Sequence, residues 1–128
     1  MRAESIIRDV VGQCSEFLHA KTVEALLRFC TALLRGQKLT LTELGRSAPG
    51  AAKPKHRIKA ANRFLGNWRL LAKMPDIYRV LAQRWLEHAP KYPVILVDWT
   101  GLPKGFYSLS ASAAFHGRSV PIYAEVYP

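Results

Sequence analysis

Apolar residues between positions 15 and 35 recur every three or four residues, which is the spacing of one face of an α-helix. The pattern predicts a helix over 15–35, and Gly36 is expected to supply the left-handed residue that ends it. A shorter helix is predicted at about 6–11. The Thr40–Glu43 segment fits a Ser/Thr-x-x-Glu capping box, so a short helix is predicted at about 41–47.

Two more helical patterns follow a loop that is rich in alanine, glycine and proline. The first covers about 56–66, and the second covers about 70–88 with an interruption near Pro75. Trp85 is expected on the buried face of the second helix. The helix, turn and helix at about 40–66 have the layout of helix-turn-helix DNA-binding motifs.

The pattern changes after Pro90, where short β-favouring runs replace the helical periodicity. Val94–Val97 is a continuous apolar run, which predicts a strand buried on both faces that ends at Asp98. Two further strands are predicted at 106–115 and 120–127, joined by a hairpin at His116–Ser119. The predicted fold class is therefore α+β, with a helical domain at 1–89 and antiparallel strands at 90–128.

The charge of the chain is large and unevenly distributed. The 128 residues include 19 Lys and Arg against 9 Asp and Glu, a formal net charge of +10, and ten of those bases lie between Arg35 and Lys73 with one acid, Glu43. Solvated surfaces usually mix the two signs, so this segment predicts a polyanionic partner, with nucleic acid first. A membrane is not predicted, because no apolar run is long enough to span one.

The candidate DNA-contacting residues lie in this basic segment. Amide and guanidinium groups of the second helix, chiefly Arg57, Asn62, Arg63 and Asn67, are expected to read purine edges, while the other bases contact phosphates. The full set is Arg46, Lys53, Lys55, Arg57, Lys59, Asn62, Arg63, Asn67 and Arg69.

Other chemistry has little support in the sequence. Cys14 and Cys30 form no CxxC pair, so they are expected to be packing residues in a reducing compartment rather than zinc ligands. The four histidines are scattered, and no serine or cysteine lies in a recognisable nucleophile context. The tryptophans are expected in the core. No secretory signal is recognisable at the amino terminus, so a cytoplasmic location is expected.

Asp98 is a candidate functional residue, and two interpretations of it stay open from the residues alone. A carboxylate at the end of an apolar strand must be solvated, hydrogen-bonded or bound to a cation, which makes it a candidate for function. The alternative is that Asp98 starts a turn at Trp99–Gly101 by accepting bonds from main-chain amides.

Three passages resemble transposases of the insertion-sequence-4 family, in particular those related to the transposase of transposon ten. They are Asn62–Asn67, Val94–Thr100 and Ser110–Tyr123, and the likeness runs from about residue 20 to the end. The resemblance implies an amino-terminal helical domain that binds inverted-repeat DNA ends. It also implies a ribonuclease-H-like core in which two aspartates and a glutamate hold two divalent ions, usually Mg²⁺. Asp98 matches the first aspartate, so the resemblance implies a catalytic, metal-binding role for it.

The sequence also departs from the family pattern. The second aspartate, and the glutamate of a Tyr-Arg-Glu-Lys signature, belong to later core elements that these 128 residues do not contain. The expectation is a truncated core that is inactive alone. Its first strand, normally central, would have an unpaired edge, which favours self-association or association with full-length transposase. The resemblance implies the cytoplasm of a bacterium, at the nucleoid.

Two other functions are consistent with a basic protein of this size. One is a stand-alone DNA-binding regulator that inhibits transposition by occupying the element's ends or by forming mixed oligomers. The other is an RNA-binding protein, which ranks lower because the chain lacks an aromatic-rich strand of the kind that stacks on RNA bases.

Overall fold

A computed structural model describes residues 2–128, and its fold class is α+β. In these residues six α-helices are followed by one antiparallel sheet of three strands. The chain forms two compact units, of which the first ends at Lys73 and the second begins at Met74. The sequence predicted a domain boundary at 89/90, which would put the last helix in the helical domain. In the structure this helix lies in the same unit as the strands.

The first unit contains five of the helices and a short 3-10 turn at Cys14–Glu16. In chain order the helices are α1 (Arg2–Gln13), α2 (Ala20–Gly36), α3 (Leu41–Ser47), α4 (Pro54–Leu65) and α5 (Trp68–Leu71).

The ends of α2 differ from the prediction at both termini. The helix begins at Ala20 because the His19 side chain accepts a hydrogen bond from the Lys21 amide at 3.2 Å and caps the first turn. At the other end Gly36 is still helical, and Gln37 is the left-handed residue, with φ of 58°. The prediction for Gly36 was therefore wrong by one position.

The capping of α3 agrees with the sequence. Thr40 Oγ1 accepts from the Glu43 amide at 3.3 Å, as the capping box predicts. The Glu43 carboxylate accepts from Ser47 Oγ at 3.0 Å, so it bonds forward along the helix. The loop Ala48–Lys53 that follows is longer than the three- or four-residue turn of most helix-turn-helix motifs.

The core of the first unit lies where α2, α3 and α4 meet. The Phe29 and Phe64 rings contact each other with centroids 4.7 Å apart. Gly45 allows a close approach of α3 to α4, because a Cβ there would lie 2.4 Å from the Ile58 Cα. The buried members of this cluster are Phe29, Ala32, Leu44, Ala48 and Ala61.

The helix predicted at 70–88 is two helices, α5 and α6 (Met74–Leu86). The break lies at Ala72–Lys73, and Pro75 occupies the first turn of α6, where a helix tolerates the missing N–H. Ile77 and Val80 of α6 are buried.

The second unit is built on the sheet, whose strands are β1 (Ile95–Gly101), β2 (Tyr107–Phe115) and β3 (Arg118–Tyr127), in that spatial order. The predicted strands at 106–115 and 120–127 are confirmed within two residues. His116 and Gly117 make the β2–β3 turn with φ of 45° and 75°, the positive values that a two-residue hairpin turn requires.

The prediction for β1 was wrong in two respects. The strand continues through Asp98 to Gly101, and every one of its residues is exposed rather than buried. The physical reason is that β1 pairs with β2 alone, whereas the helix that packs on the sheet contacts β3. Helix α6 packs on β3 at the other edge, where the Tyr78 and Tyr123 rings lie 5.6 Å apart.

The tryptophans were also predicted wrongly. Trp68, Trp85 and Trp99 are 70%, 40% and 55% exposed, so they are surface residues and not core. Cys14 is buried and Cys30 half-buried, both as free thiols, and burial raises the pKa of each. No helix within residues 2–128 is long and apolar enough to cross a membrane.

Candidate nucleic-acid interface and the Asp98 carboxylate

An exposed cationic ridge runs along α4. Lys55, Lys59 and Asn62 are all exposed, and their spacing of four and three residues places them in one row on the helix surface. Arg63 is exposed beside this row, one turn after Lys59. Ala61, on the opposite side of α4, is buried in the core, so the ridge faces away from the packed helices.

Three more of the predicted residues lie near the ends of this helix or on α3. Arg46 is exposed on α3, and Lys53 is the exposed residue that precedes α4. Arg69 is exposed on α5, with its guanidinium 5.4 Å from the centre of the Trp68 ring. The four residues of α4 and these three are thus exposed members of the predicted set.

Two predicted residues have structural contacts instead. Arg57 is half-buried, and its Nη1 donates to the Ala48 carbonyl at 2.6 Å, which ties α4 to the preceding loop. The Asn67 side chain accepts from the amides of Arg69 at 3.2 Å and Leu70 at 3.4 Å, so it caps α5. These contacts fix elements of the fold, and neither side chain is presented on the α4 ridge.

A groove between α2 and α4 adds cations that the sequence analysis did not select. Its volume is about 490 Å³, and Lys21 and Arg28 of α2 line it opposite Arg63 of α4. The only signal in the sequence was spacing, because positions 21 and 28 are seven residues apart and share one helix face. Apolar periodicity had marked α2 as a packing helix.

A second groove, of about 570 Å³, lies between α1, α2 and the loop after α3. Arg8, Arg28 and Arg35 line it together with Glu4 and Glu24. Arg35 Nη2 lies 3.3 Å from the Glu4 carboxylate, so one of these cations already has an anionic partner within the fold. The mixed charge makes this groove a weaker candidate for a polyanion.

Asp98 lies in the middle of β1 on the sheet face that also carries serine side chains. It is paired with Ser110 of β2, and strand alternation puts Thr100 and Ser108 on the same face. Thr100 Oγ1 donates to Asp98 Oδ2 at 2.6 Å. The carboxylate is exposed. The interpretation that Asp98 starts a turn is wrong, because the strand continues past it for three residues.

One carboxylate does not fit the requirements of Mg²⁺, which prefers six oxygen ligands in octahedral geometry. Within residues 2–128 no three His, Cys, Asp or Glu side chains are grouped so that they could hold a metal ion. Asp98 could therefore supply one ligand of a magnesium site, and the described residues do not complete it.

The opposite face of the sheet carries a cluster of aromatic side chains that the sequence analysis did not select. The Trp99 ring stacks on those of Tyr107 and Tyr127, each with centroids 5.7 Å away. The hydroxyls of Tyr123 and Tyr127 both donate to the Glu125 carboxylate, at 2.8 Å for Tyr127. These bonds lower the pKa of Glu125 and raise the pKa of Tyr123 to about 12.

We compared the chain with protein-family models, with curated proteins and with solved structures, and none of the three comparisons gave a match.

Proposed function

We propose that this chain is the amino-terminal part of a DNA transposase of the insertion-sequence-4 family, and that its first unit binds the inverted-repeat ends of the element. The proposal rests on the sequence resemblance of three passages. It is supported by an α+β fold in which a basic helical unit precedes the strand that carries Asp98.

The observation that carries the DNA-binding part is the exposed cationic ridge on α4. A ridge of this kind suits a duplex, because positive side chains release the counterions condensed on the phosphates. Asn62 lies on the ridge beside Arg63, and its side-chain amide has one donor and one acceptor, which complement the acceptor and donor that adenine presents in the major groove. We infer that α4 approaches the major groove and that Lys55, Lys59 and Arg63 contact phosphates or guanine.

For the second unit we propose the start of a ribonuclease-H-like core. Asp98 would be the first of its metal-binding carboxylates, and the complete site would hold Mg²⁺ with ligands from later elements. The exposed position of Asp98 on the face opposite the aromatic cluster supports this role, since a metal-binding carboxylate must be accessible to the DNA phosphate.

A gel-shift experiment with the full chain tests the binding proposal. The probes are the inverted-repeat ends that flank its gene, a random duplex of equal length and a structured RNA, each at two salt concentrations. We expect the ends to bind most tightly, with a log-log salt slope of about −5 if six cations contact phosphates. Equal affinity for the ends and the random duplex would remove end recognition, and preference for the RNA would overturn the proposal.

A stand-alone regulator of transposition remains the second candidate. The observation in its favour is that the predicted DNA contacts all lie in the first unit, so binding needs no contribution from the unit that carries Asp98. The same gel shift supports both candidates if the ends are preferred. The nucleotide sequence downstream of codon 128 separates them, because a transposase gene must encode the remaining aspartate and glutamate.

A further inference from the structure

The groove between α2 and α4 has an apolar floor and a charged rim. Phe29 and Phe64, whose rings contact each other at 4.7 Å, form the floor together with alanines of both helices. Lys21 and Arg28 lie on the α2 side, and Arg63 lies on the α4 side. The two helices thus present cations toward one shared space.

The charge of this rim is unbalanced. Among the described residues that line the groove Glu24 alone is acidic, against three cations. Arg28 is half-buried, its Nε is buried without a hydrogen-bond partner, and its guanidinium lies 5.8 Å from the centre of the Phe29 ring. A buried donor without a partner destabilises a fold. Because the Nε has almost no accessible surface, a ligand could reach this guanidinium only through its Nη groups.

We propose that this groove binds a backbone phosphate of the same duplex that the α4 ridge contacts, with Arg28 and Lys21 as the phosphate-binding residues on α2. A guanidinium matches the oxygens of a phosphate with two parallel hydrogen bonds, and a lysine supplies a compact charge beside it. Arg63 belongs to both the groove and the ridge, so one DNA strand can pass from α4 to α2. This inference rests on the proposed DNA-binding function and extends its surface to a second helix.

Salt dependence of duplex binding tests the assignment. Lys21→Gln and Arg28→Gln are compared with the full chain and with Arg79→Gln, which removes one exposed charge from α6 in the second unit. Each groove variant is expected to make the log-log salt slope shallower by about one, and the Arg79 variant is expected to leave it unchanged. Lys21 is exposed, so its variant remains informative even if the Arg28 variant is destabilised.

A second measurement uses the unsubstituted chain. The Nε–H resonance of Arg28 is followed by nuclear magnetic resonance while duplex DNA is added, and inorganic phosphate is added in a parallel titration. A shift with duplex at concentrations where inorganic phosphate has no effect supports a DNA phosphate in the groove. A shift with inorganic phosphate alone would indicate a small-anion site and would overturn the proposal.

The outcomes separate this inference from the proposed function. If the full chain binds duplex and both groove variants keep its salt slope, with the Arg28 resonance unmoved, the groove assignment is wrong and the α4 interface stands. If the full chain does not bind duplex at all, the proposed function fails and the groove assignment fails with it.

Discussion

Gly45 illustrates how one missing side chain fixes the distance between two helices. A Cβ at this position would lie 2.4 Å from Ile58 Cα and 2.7 Å from Ile58 N, which are main-chain atoms that cannot rotate away. The absence of a Cβ at Gly45 therefore allows α4, which carries the ridge, to pack closely on α3.

We predict that Gly45→Ala lowers the free energy of unfolding by about 1–3 kcal/mol, the usual range for overpacking a core. Urea denaturation followed by circular dichroism measures the effect. Gly12→Ala in α1 is the matched control, because nothing lies within 4 Å of its added Cβ. That variant is expected to stabilise by about 0.5–1 kcal/mol, since alanine favours a helix interior. Equal stability of the two variants would contradict the close approach.

Glu125 controls the ionisation of its tyrosine neighbours. Its hydrogen bonds are the first cause of the pKa of about 12 for Tyr123. A tyrosine pKa raised on folding contributes stability that is fully present below pH 10 and is lost as the pH rises through about 12. The lowered pKa of Glu125 acts at the other end of the range, because its contribution is lost as the pH falls through that value.

We predict that Glu125→Gln shifts the ionisation of Tyr123 to lower pH, because the amide is a weaker acceptor for the tyrosine hydroxyl and no longer repels the phenolate. Ultraviolet absorbance of the tyrosinate form during an alkaline titration measures this. Tyr123→Phe identifies the group, since it should remove the last tyrosine to ionise. An unchanged titration curve in the Gln variant would show that Glu125 does not hold these hydroxyls.

At the level of the element, α4 carries the proposed DNA-binding residues on one side and its packing residues on the other. Lys59 lies on the exposed ridge, whereas Arg57 is half-buried and donates to the Ala48 carbonyl. Both residues are basic and only two positions apart, so composition alone gives them the same role. Their positions around the helix indicate different roles.

We predict that the two glutamine variants of this helix change different properties, DNA binding in one and stability in the other. Lys59→Gln should leave the unfolding free energy unchanged and make the salt slope of duplex binding shallower by about one. Arg57→Gln should cost about 1.5–3 kcal/mol of stability, because a charged donor to the loop carbonyl is lost. Thermal denaturation and gel shifts on both variants check the pair. A stable Arg57 variant with a changed salt slope would assign that residue to DNA contact instead.

The two edges of the sheet differ in how well they resist pairing with another strand. On β3, Pro121 lacks an N–H, and the register with β2 is irregular at Ala111–Ser112. The Val94 carbonyl, just before β1, accepts a hydrogen bond from the Ala114 amide of β2 at 3.0 Å. Because successive residues of a strand direct their main-chain groups to opposite sides, those of Val97 point away from β2, to the open edge. Neither proline nor lysine interrupts β1, which favours strand addition there.

We predict that the chain self-associates through β1 and that Val97→Lys reduces this association. The side chain of Val97 is 68% exposed, so the substitution should cost little folding free energy. Sedimentation velocity at several protein concentrations gives the measurement. Val126→Lys on β3, where the valine is 57% exposed, is the matched control and is expected to leave association unchanged. Association that persists in the Val97 variant would place the contact elsewhere.

For the whole molecule, the order of helices and strands could be predicted from periodicity and capping, because these are local properties. Burial could not, since it depends on which elements become neighbours. The apolar Val94–Val97 run was expected inside, and it lies exposed on an edge strand. The hydrogen bonds of Arg57 to the loop and of Asn67 to α5 were not predicted either, because hydrogen-bond partners depend on the folded backbone.

Charge is divided between the two units in a way that bears on activity. Residues 1–73 have 14 bases and five acids, whereas residues 74–128 have five bases and four acids, for net charges of +9 and +1. The proposed attraction of duplex DNA would therefore come from the first unit. Within residues 2–128 Asp98 does not belong to any group of three His, Cys, Asp or Glu side chains that could hold a metal ion, whereas two-metal cleavage needs several carboxylates.

We predict that these 128 residues bind duplex DNA without cutting it. Incubation with Mg²⁺ and end-containing DNA, followed by a denaturing gel, should show no nicked or hairpin product. Asp98→Asn should bind DNA as the unsubstituted chain does, because the residue belongs to the second unit and the predicted DNA contacts belong to the first. A nicked product from the unsubstituted chain that disappears in the Asn variant would show that one carboxylate is sufficient.

The tight turn at His116–Gly117 bears on the order in which the second unit folds. Strands joined by so short a turn meet after little loss of chain entropy, so the β2–β3 hairpin can form early. The contact of Tyr78 with Tyr123 must close a far longer loop and forms later. The side of the hairpin that α6 covers is open to water until α6 docks on it, which makes a holding chaperone most useful in that interval.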